Sequence, residues 1–91
     1  VFTRAAEGMV ITDQRGQVIA VNPAFAEITG YTNAEMVGRS PSILSSGRQP
    51  PSFYREMWRK LDTDGQWQGE IWNRRKNGEI YPEWLSITAV R

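Results

Sequence analysis

The chain contains no cysteine and no histidine. The first absence rules out disulfides and thiolate chemistry, and it accords with a reducing cytoplasm, the compartment expected here. The second leaves no imidazole to activate a serine, and together they exclude the metal sites that Cys and His build. A strong charge of one sign is also lacking: eleven Lys and Arg stand against ten Asp and Glu, for a net charge of +1. Neither nucleic acid nor an anionic membrane therefore has an electrostatic footing, and the short run Arg74-Arg75-Lys76 reads as a solvated turn. No apolar stretch approaches the roughly 20 residues of a membrane span, and no signal-peptide pattern opens the chain. The phosphate-cradling glycine patterns are missing as well.

Catalysis by this segment is not expected. Ser40, Ser42, Ser45 and Ser46 cluster without a base, and Lys60 and Lys76 read as surface lysines. Neither Glu70, Glu79 and Glu83 nor Asp62 and Asp64 show the spacing of a catalytic carboxylate pair.

What is present begins with a hairpin. From Trp67 to Val90 the chain reads WQGEIWNRRKNGEIYPEWLSITAV, two runs of alternating apolar residues around Lys76-Asn77-Gly78-Glu79. That is a β-hairpin signature. It carries three of the four tryptophans, Trp67, Trp72 and Trp84, and two strands alone are marginal in water, so it must pack on something. A first hairpin is predicted from Gly8–Asp13 and Gln17–Val21, turning at Asp13-Gln14-Arg15-Gly16. Asn22-Pro23 then starts a helix that Gly30 ends, with Phe25, Ile28 and Thr29 on one face. Thr32 or Asn33 caps a short second helix through Met36, and Pro41–Leu44 suits one more helical turn. After the loop Ser45–Pro51, Ser52 is expected to cap an amphipathic helix of about ten residues, with Phe53, Met57 and Leu61 beside Tyr54 and Trp58.

The 91 residues make one domain, and because the chain opens on Val rather than Met it is expected to be a piece of a longer protein. Strands around a block of helices imply an α+β fold: an antiparallel sheet with helices on one face and a cleft between.

The combination of Asp13-x-x-Gly16, Asn22-Pro23-x-Phe25, Thr29-Gly30-Tyr31, Gly38-Arg39, Trp67-x-Gly69-Glu70 and Asn73-Arg74-Arg75-Lys76-Asn77-Gly78 resembles a PAS domain over almost the whole chain. It most resembles the PAS modules ahead of bacterial diguanylate cyclases, c-di-GMP phosphodiesterases and sensor histidine kinases. The resemblance implies a five-stranded antiparallel sheet cradling a small-molecule pocket. The family's fifth strand lies centrally in the sheet and follows the region that ends here at Arg91. Its absence predicts two unpaired edges, or a strand supplied from elsewhere.

The family's covalent and haem chemistries need side chains this sequence lacks. A flavin-cysteinyl adduct or a thioester-linked chromophore needs Cys, and histidine-ligated haem needs His. Met9, Met36 and Met57 read as core rather than haem ligands. What remains is non-covalent: a flavin such as FAD, a small organic ligand, or no ligand.

Side chains alternate across a strand. A three-residue turn Lys76-Asn77-Gly78, with Gly78 left-handed, puts Trp67, Gly69, Ile71, Asn73, Tyr81, Glu83, Leu85 and Ile87 on the helix-facing side. The resemblance supports this, since flavin-binding relatives point polar side chains inward at the positions of Asn73 and Glu83. Two readings of Glu83 stay open: an acid satisfied by protein groups, water or the sheet rim, or a ligand contact acting with Asn73. In the second, Trp67 or Phe53 stacks on the ligand, and Phe25, Ile28, Ile43, Leu44, Met57, Ile71 and Leu85 line the pocket.

The other face shows Trp72 and Trp84, expected to pair across the strands and to cover either an N-terminal helix ending in Val1–Glu7 or a second copy in a homodimer. The function expected is sensory: a small ligand or redox state is sensed and relayed, by dimer rearrangement, to an output domain in the same chain. That output would be a diguanylate cyclase, phosphodiesterase or histidine kinase. The alternative is a ligand-free dimerisation scaffold.

Overall fold

A computed structural model describes residues 7–90. The expected helical tail Val1–Glu7 lies, apart from Glu7, outside the described residues. In chain order the elements are β1 (Gly8–Thr12), β2 (Val18–Val21), α1 (Pro23–Thr29), α2 (Asn33–Met36), a 3-10 turn (Pro41–Leu44), α3 (Pro51–Asp64), β3 (Gln66–Arg74) and β4 (Ile80–Ala89).

Local chemistry accounts for most boundaries. In the β1–β2 turn the Asp13 carboxylate accepts the backbone N–H groups of Arg15 and Gln17 at 2.8 and 3.0 Å. Gly16 sits there at φ 79°, with the Trp58 ring 3.2 Å from where a Cβ would stand. Asn22 Oδ1 caps α1 through Phe25 N at 2.9 Å and also accepts Met9 N at 3.0 Å, so one side chain starts the helix and ties it to β1. Thr32 and Glu35 form a reciprocal capping box on α2. The helix α3 is longer than expected, at 14 residues, and Ser52 does not cap it. Pro50 holds the cap position and Pro51 the first turn; Pro51 has no N–H to satisfy and its φ is preset, so the helix starts without a side-chain cap.

The four strands form one sheet in the order β2-β1-β4-β3. Both hairpins are antiparallel, but β1 pairs with β4 in parallel, from Gly8 opposite Leu85 to Thr12 opposite Ala89. The sheet is thus mixed rather than antiparallel, and the two unpaired central edges expected from the sequence do not occur among the described strands. Bringing β1 directly onto β4 satisfies two rows of backbone groups that would otherwise be buried unpaired. The outer edges are partly blocked by side-chain amides. Gln49 accepts Trp72 N at 2.7 Å and donates to Trp72 O at 3.0 Å, while Asn33 Oδ1 accepts Val21 N at 2.8 Å.

The helices cover one face of the sheet. Between them lies a core that includes Val10, Phe25, Met36, Met57, Leu61 and Ile87. Asn22→Ala should cost about 1–2 kcal/mol in urea denaturation, because it removes the α1 cap and the link to β1 together. A loss below about 0.5 kcal/mol would mean that the two bonds are dispensable.

Candidate functional site

The β3–β4 turn closes as the spacing predicts. Arg75 N meets Glu79 O at 2.8 Å, and Gly78 takes φ 95°. With this phase Ile71, Asn73, Tyr81, Glu83, Leu85 and Ile87 all face inward and are buried. Two of them are strongly polar, and a buried polar group needs a partner.

Asn73 and Glu83 are partners of each other. Asn73 Nδ2 donates to Glu83 Oε1 at 2.8 Å, and the Tyr81 hydroxyl donates to the same oxygen at 2.8 Å. Glu83 Oε2 is sealed in with no partner among the described residues, 3.3 Å from where a Cβ on Gly8 would stand. Burial pushes the Glu83 carboxyl above the usual carboxylate range, against the opposing pull of its bonds from Asn73 and Tyr81. Burial, with Glu83 beside it, likewise raises the Tyr81 phenol. The Arg75 guanidinium stacks over the Tyr81 ring, 3.8 Å from its centroid, and donates to the carbonyl of Ile28 at the end of α1.

Next to Asn73 lies a cavity of ≈ 180 Å³ between the 3-10 turn, α3 and the sheet. Of the residues predicted for a pocket, Leu44, Met57, Ile71, Asn73 and Leu85 line it. Glu83 stands behind Asn73 rather than in the wall. Phe25 is fully buried core above Gly8, Ile43 packs on the core, and Ile28 faces the groove beside Arg75 and Lys76. Phe53 and Trp67 pair edge to face at 5.9 Å outside the cavity lining, and Trp67 lies over Gly69, 3.1 Å from where a Cβ would stand.

The wall also contains residues that the sequence reading left out of the pocket, chiefly Tyr54, Trp58, Ser45 and Ile87. Tyr54 and Trp58 were legible as a second apolar stripe on α3, four residues apart. Tyr81 could have been added from its place two residues before Glu83 on the same strand face. The Tyr54 hydroxyl accepts from Gln49 Nε2 at 2.9 Å and lies 3.4 Å from Ser45 Oγ, which occupies these groups at the cavity mouth. A larger depression of ≈ 620 Å³ beside the β1–β2 turn is lined by Asp13, Gln14, Arg15 and Asp62 among others, whereas the ≈ 180 Å³ cavity is walled mainly by apolar side chains and suits a ligand that sheds its water.

On the outer face the register sets Trp84 opposite Glu70 and Trp72 opposite Pro82. The two indoles are therefore diagonal neighbours rather than a direct cross-strand pair. Trp84 is 50% exposed, whereas Trp72 is partly covered by the Arg48 guanidinium 4.0 Å above its ring. No cluster of three or more potential metal ligands occurs among the described residues.

A sequence model described as the PAS domain matches residues 6–91. The chain is 36% identical over 87 residues to a nitrogen fixation regulatory protein of Klebsiella oxytoca, covering 96% of this chain and 18% of that protein. It is 30% identical over 92 residues to a blue-light-activated histidine kinase of Rhizobium johnstonii, covering 98% of this chain and 27% of that protein. The chain thus spans only about a fifth to a quarter of the length of these relatives. Among solved structures, the PAS domain of a Colwellia psychrerythraea protein aligns with TM-score 0.68 and 26% identity, over 80% of this chain and 62% of that one.

The raised pKa of Glu83 carries a pH signature. The folded state holds the Glu83 proton to higher pH than the unfolded chain does, so folding loses stability as pH climbs from the ordinary carboxylate range through the folded value. Glu83→Gln, which cannot ionise, should match the native protein in urea denaturation near pH 4 and exceed it by a growing margin toward pH 7. A pH-independent difference between the two would show that Glu83 ionises as freely inside as outside.

Proposed function

The chain belongs to the PAS domain family, a sensory rather than catalytic module, and we propose that it is the ligand-sensing unit of a longer signalling protein. The observation that carries this reading is the mainly apolar cavity meeting a buried amide, Asn73, since ligand sites combine apolar walls with a few placed polar groups. An output domain in the same chain, of the histidine kinase, diguanylate cyclase or phosphodiesterase kind, would receive the signal. No described helix is long and apolar enough to cross a membrane; a cytoplasmic setting is part of the proposal.

In mechanism, a ligand in the cavity engages the side of Asn73 that faces it and so loads the bond that holds Asn73 to Glu83. A change there moves Tyr81 and the β3–β4 hairpin, and with them the outer face at Trp84. The ligand drives this only as far as its affinities for the two arrangements differ.

A flavin is the cofactor expected for such a fold, and the fit is partial. Asn73 is the type of side chain that meets ring heteroatoms, and with no cysteine a flavin would be held non-covalently. Yet ≈ 180 Å³ falls below the roughly 300 Å³ at which cofactor-sized pockets begin, so a flavin enters only if the wall at Tyr54 and Trp58 moves outward. As it stands the cavity takes a single ring, since about 150 Å³ admits benzene.

The second reading, a ligand-free dimerisation scaffold, draws on Trp84 and Ile11, 50% and 37% exposed on the outer face.

Mass spectrometry of the purified protein tests the first reading: gentle conditions should show an added small-molecule mass that denaturing conditions remove. A bare chain mass under both conditions, with no flavin band near ~450 nm, would favour the scaffold. For the scaffold, Trp72→Ala combined with Trp84→Ala should abolish association in sedimentation, while Glu83→Leu leaves it intact. A double variant that still dimerises removes the tryptophan face from the interface.

A further inference from the structure

The same buried trio decides which ligands the cavity can accept. Oε1 of Glu83 takes hydrogen bonds from both Asn73 Nδ2 and the Tyr81 hydroxyl, each at 2.8 Å. Whether Glu83 is ionised or carries its proton on the unpartnered Oε2, it meets Asn73 with an acceptor. The amide of Asn73 is therefore locked with its nitrogen turned toward Glu83. Its carbonyl oxygen has no partner among the described residues, yet it is not among the sealed, unpaired atoms, which are Thr12 Oγ1 and Glu83 Oε2. Asn73 as a whole is 2% exposed and lines the cavity, so the open space that Oδ1 meets is the cavity itself. Of the other polar side chains in the lining, Tyr54 and Ser45 are turned to each other and Tyr54 to Gln49, and Ser42 is exposed.

We propose that the cavity selects a single-ring, largely apolar ligand bearing an N–H or O–H donor, and that the Glu83–Tyr81 pair sets this preference by holding the Asn73 amide in one orientation. The proposal rests on the reading of the cavity as a ligand site and adds its chemical class. A volume of ≈ 180 Å³ admits one ring, and a ligand without a donor would bury Oδ1 against apolar atoms and leave it unpaired. A site built around a buried acceptor rejects the analogue that cannot donate to it. Glu83 and Tyr81 act through Asn73: they are positioning residues with no atom in the cavity wall.

Phenol and benzonitrile separate the two kinds of ligand. They have similar size and apolarity, but phenol donates a hydrogen bond while benzonitrile only accepts one. Titrated into the purified protein and followed by amide chemical shifts, phenol should bind about tenfold more tightly than benzonitrile. In Glu83→Leu the freed Asn73 amide can turn its nitrogen inward, and the two affinities should converge to within about twofold. Tyr81→Phe keeps the Asn73–Glu83 bond and should keep the preference for phenol. Equal affinities in the native protein, or a preference unchanged in Glu83→Leu, would overturn the donor rule while leaving the cavity a ligand site. Failure of both compounds to bind the native protein at millimolar concentration would overturn the ligand-site reading and this inference with it. The native comparison decides even if Glu83→Leu does not fold.

Discussion

The register of the β3–β4 hairpin is the constraint on which the site depends, and one left-handed residue sets it. Gly78, at φ 95°, closes a three-residue turn between Arg75 and Glu79. Because side chains alternate with a period of two, a turn one residue shorter would send Tyr81, Glu83, Leu85 and Ile87 to the outer face while Asn73 and Ile71 stayed inside. The turn is itself clamped to α1, through Lys76 N to Thr29 O at 2.8 Å and through Arg75 to the Ile28 carbonyl. The hairpin turn and the end of α1 are thereby held in one relative position.

Within that register the interior contains an energetic conflict. A carboxyl group lies where apolar side chains would pack with less cost, and only one of its two oxygens has a partner among the described residues. The conflict is local and directional. Two donors converge on Oε1, one of them from the side chain that borders the cavity. A buried polar group satisfied on one side only restricts its neighbour's orientation, and that restriction can serve recognition even where it subtracts from stability. The same network reaches the surface through the Arg75 ring contact with Tyr81, so the cavity, the hairpin turn and the end of α1 are joined by a short path of contacts.

The sheet is more open on its outer face than along its edges. The Gln49 amide occupies both backbone groups of Trp72 on the β3 edge, and Asn33 with the Gly38–Arg39 segment does the equivalent on β2. Such plugs oppose strand addition from another chain at those positions. The outer face keeps Trp84 and Ile11 exposed, whereas Arg48 partly shields Trp72.

The amino-acid sequence alone determined the local features: both hairpin turns, the Asn22-Pro23 start of α1, the start of α2 at Thr32 or Asn33, the inward and outward faces of β3 and β4, and the family. Each depends on residues within a few positions of one another, or on a period of two, so the signal is written along the chain. Only the tertiary structure decided the rest. The parallel pairing of β1 with β4 joins strands separated by the whole helical block, and no local pattern encodes it. The cavity wall recruited Tyr54 and Trp58 while Phe53 turned to Trp67, because one amphipathic helix with two adjacent apolar stripes can be rotated to present either. Glu83 came to rest behind Asn73, not beside the cavity, because the position of a buried acid is set by which donors reach it in three dimensions.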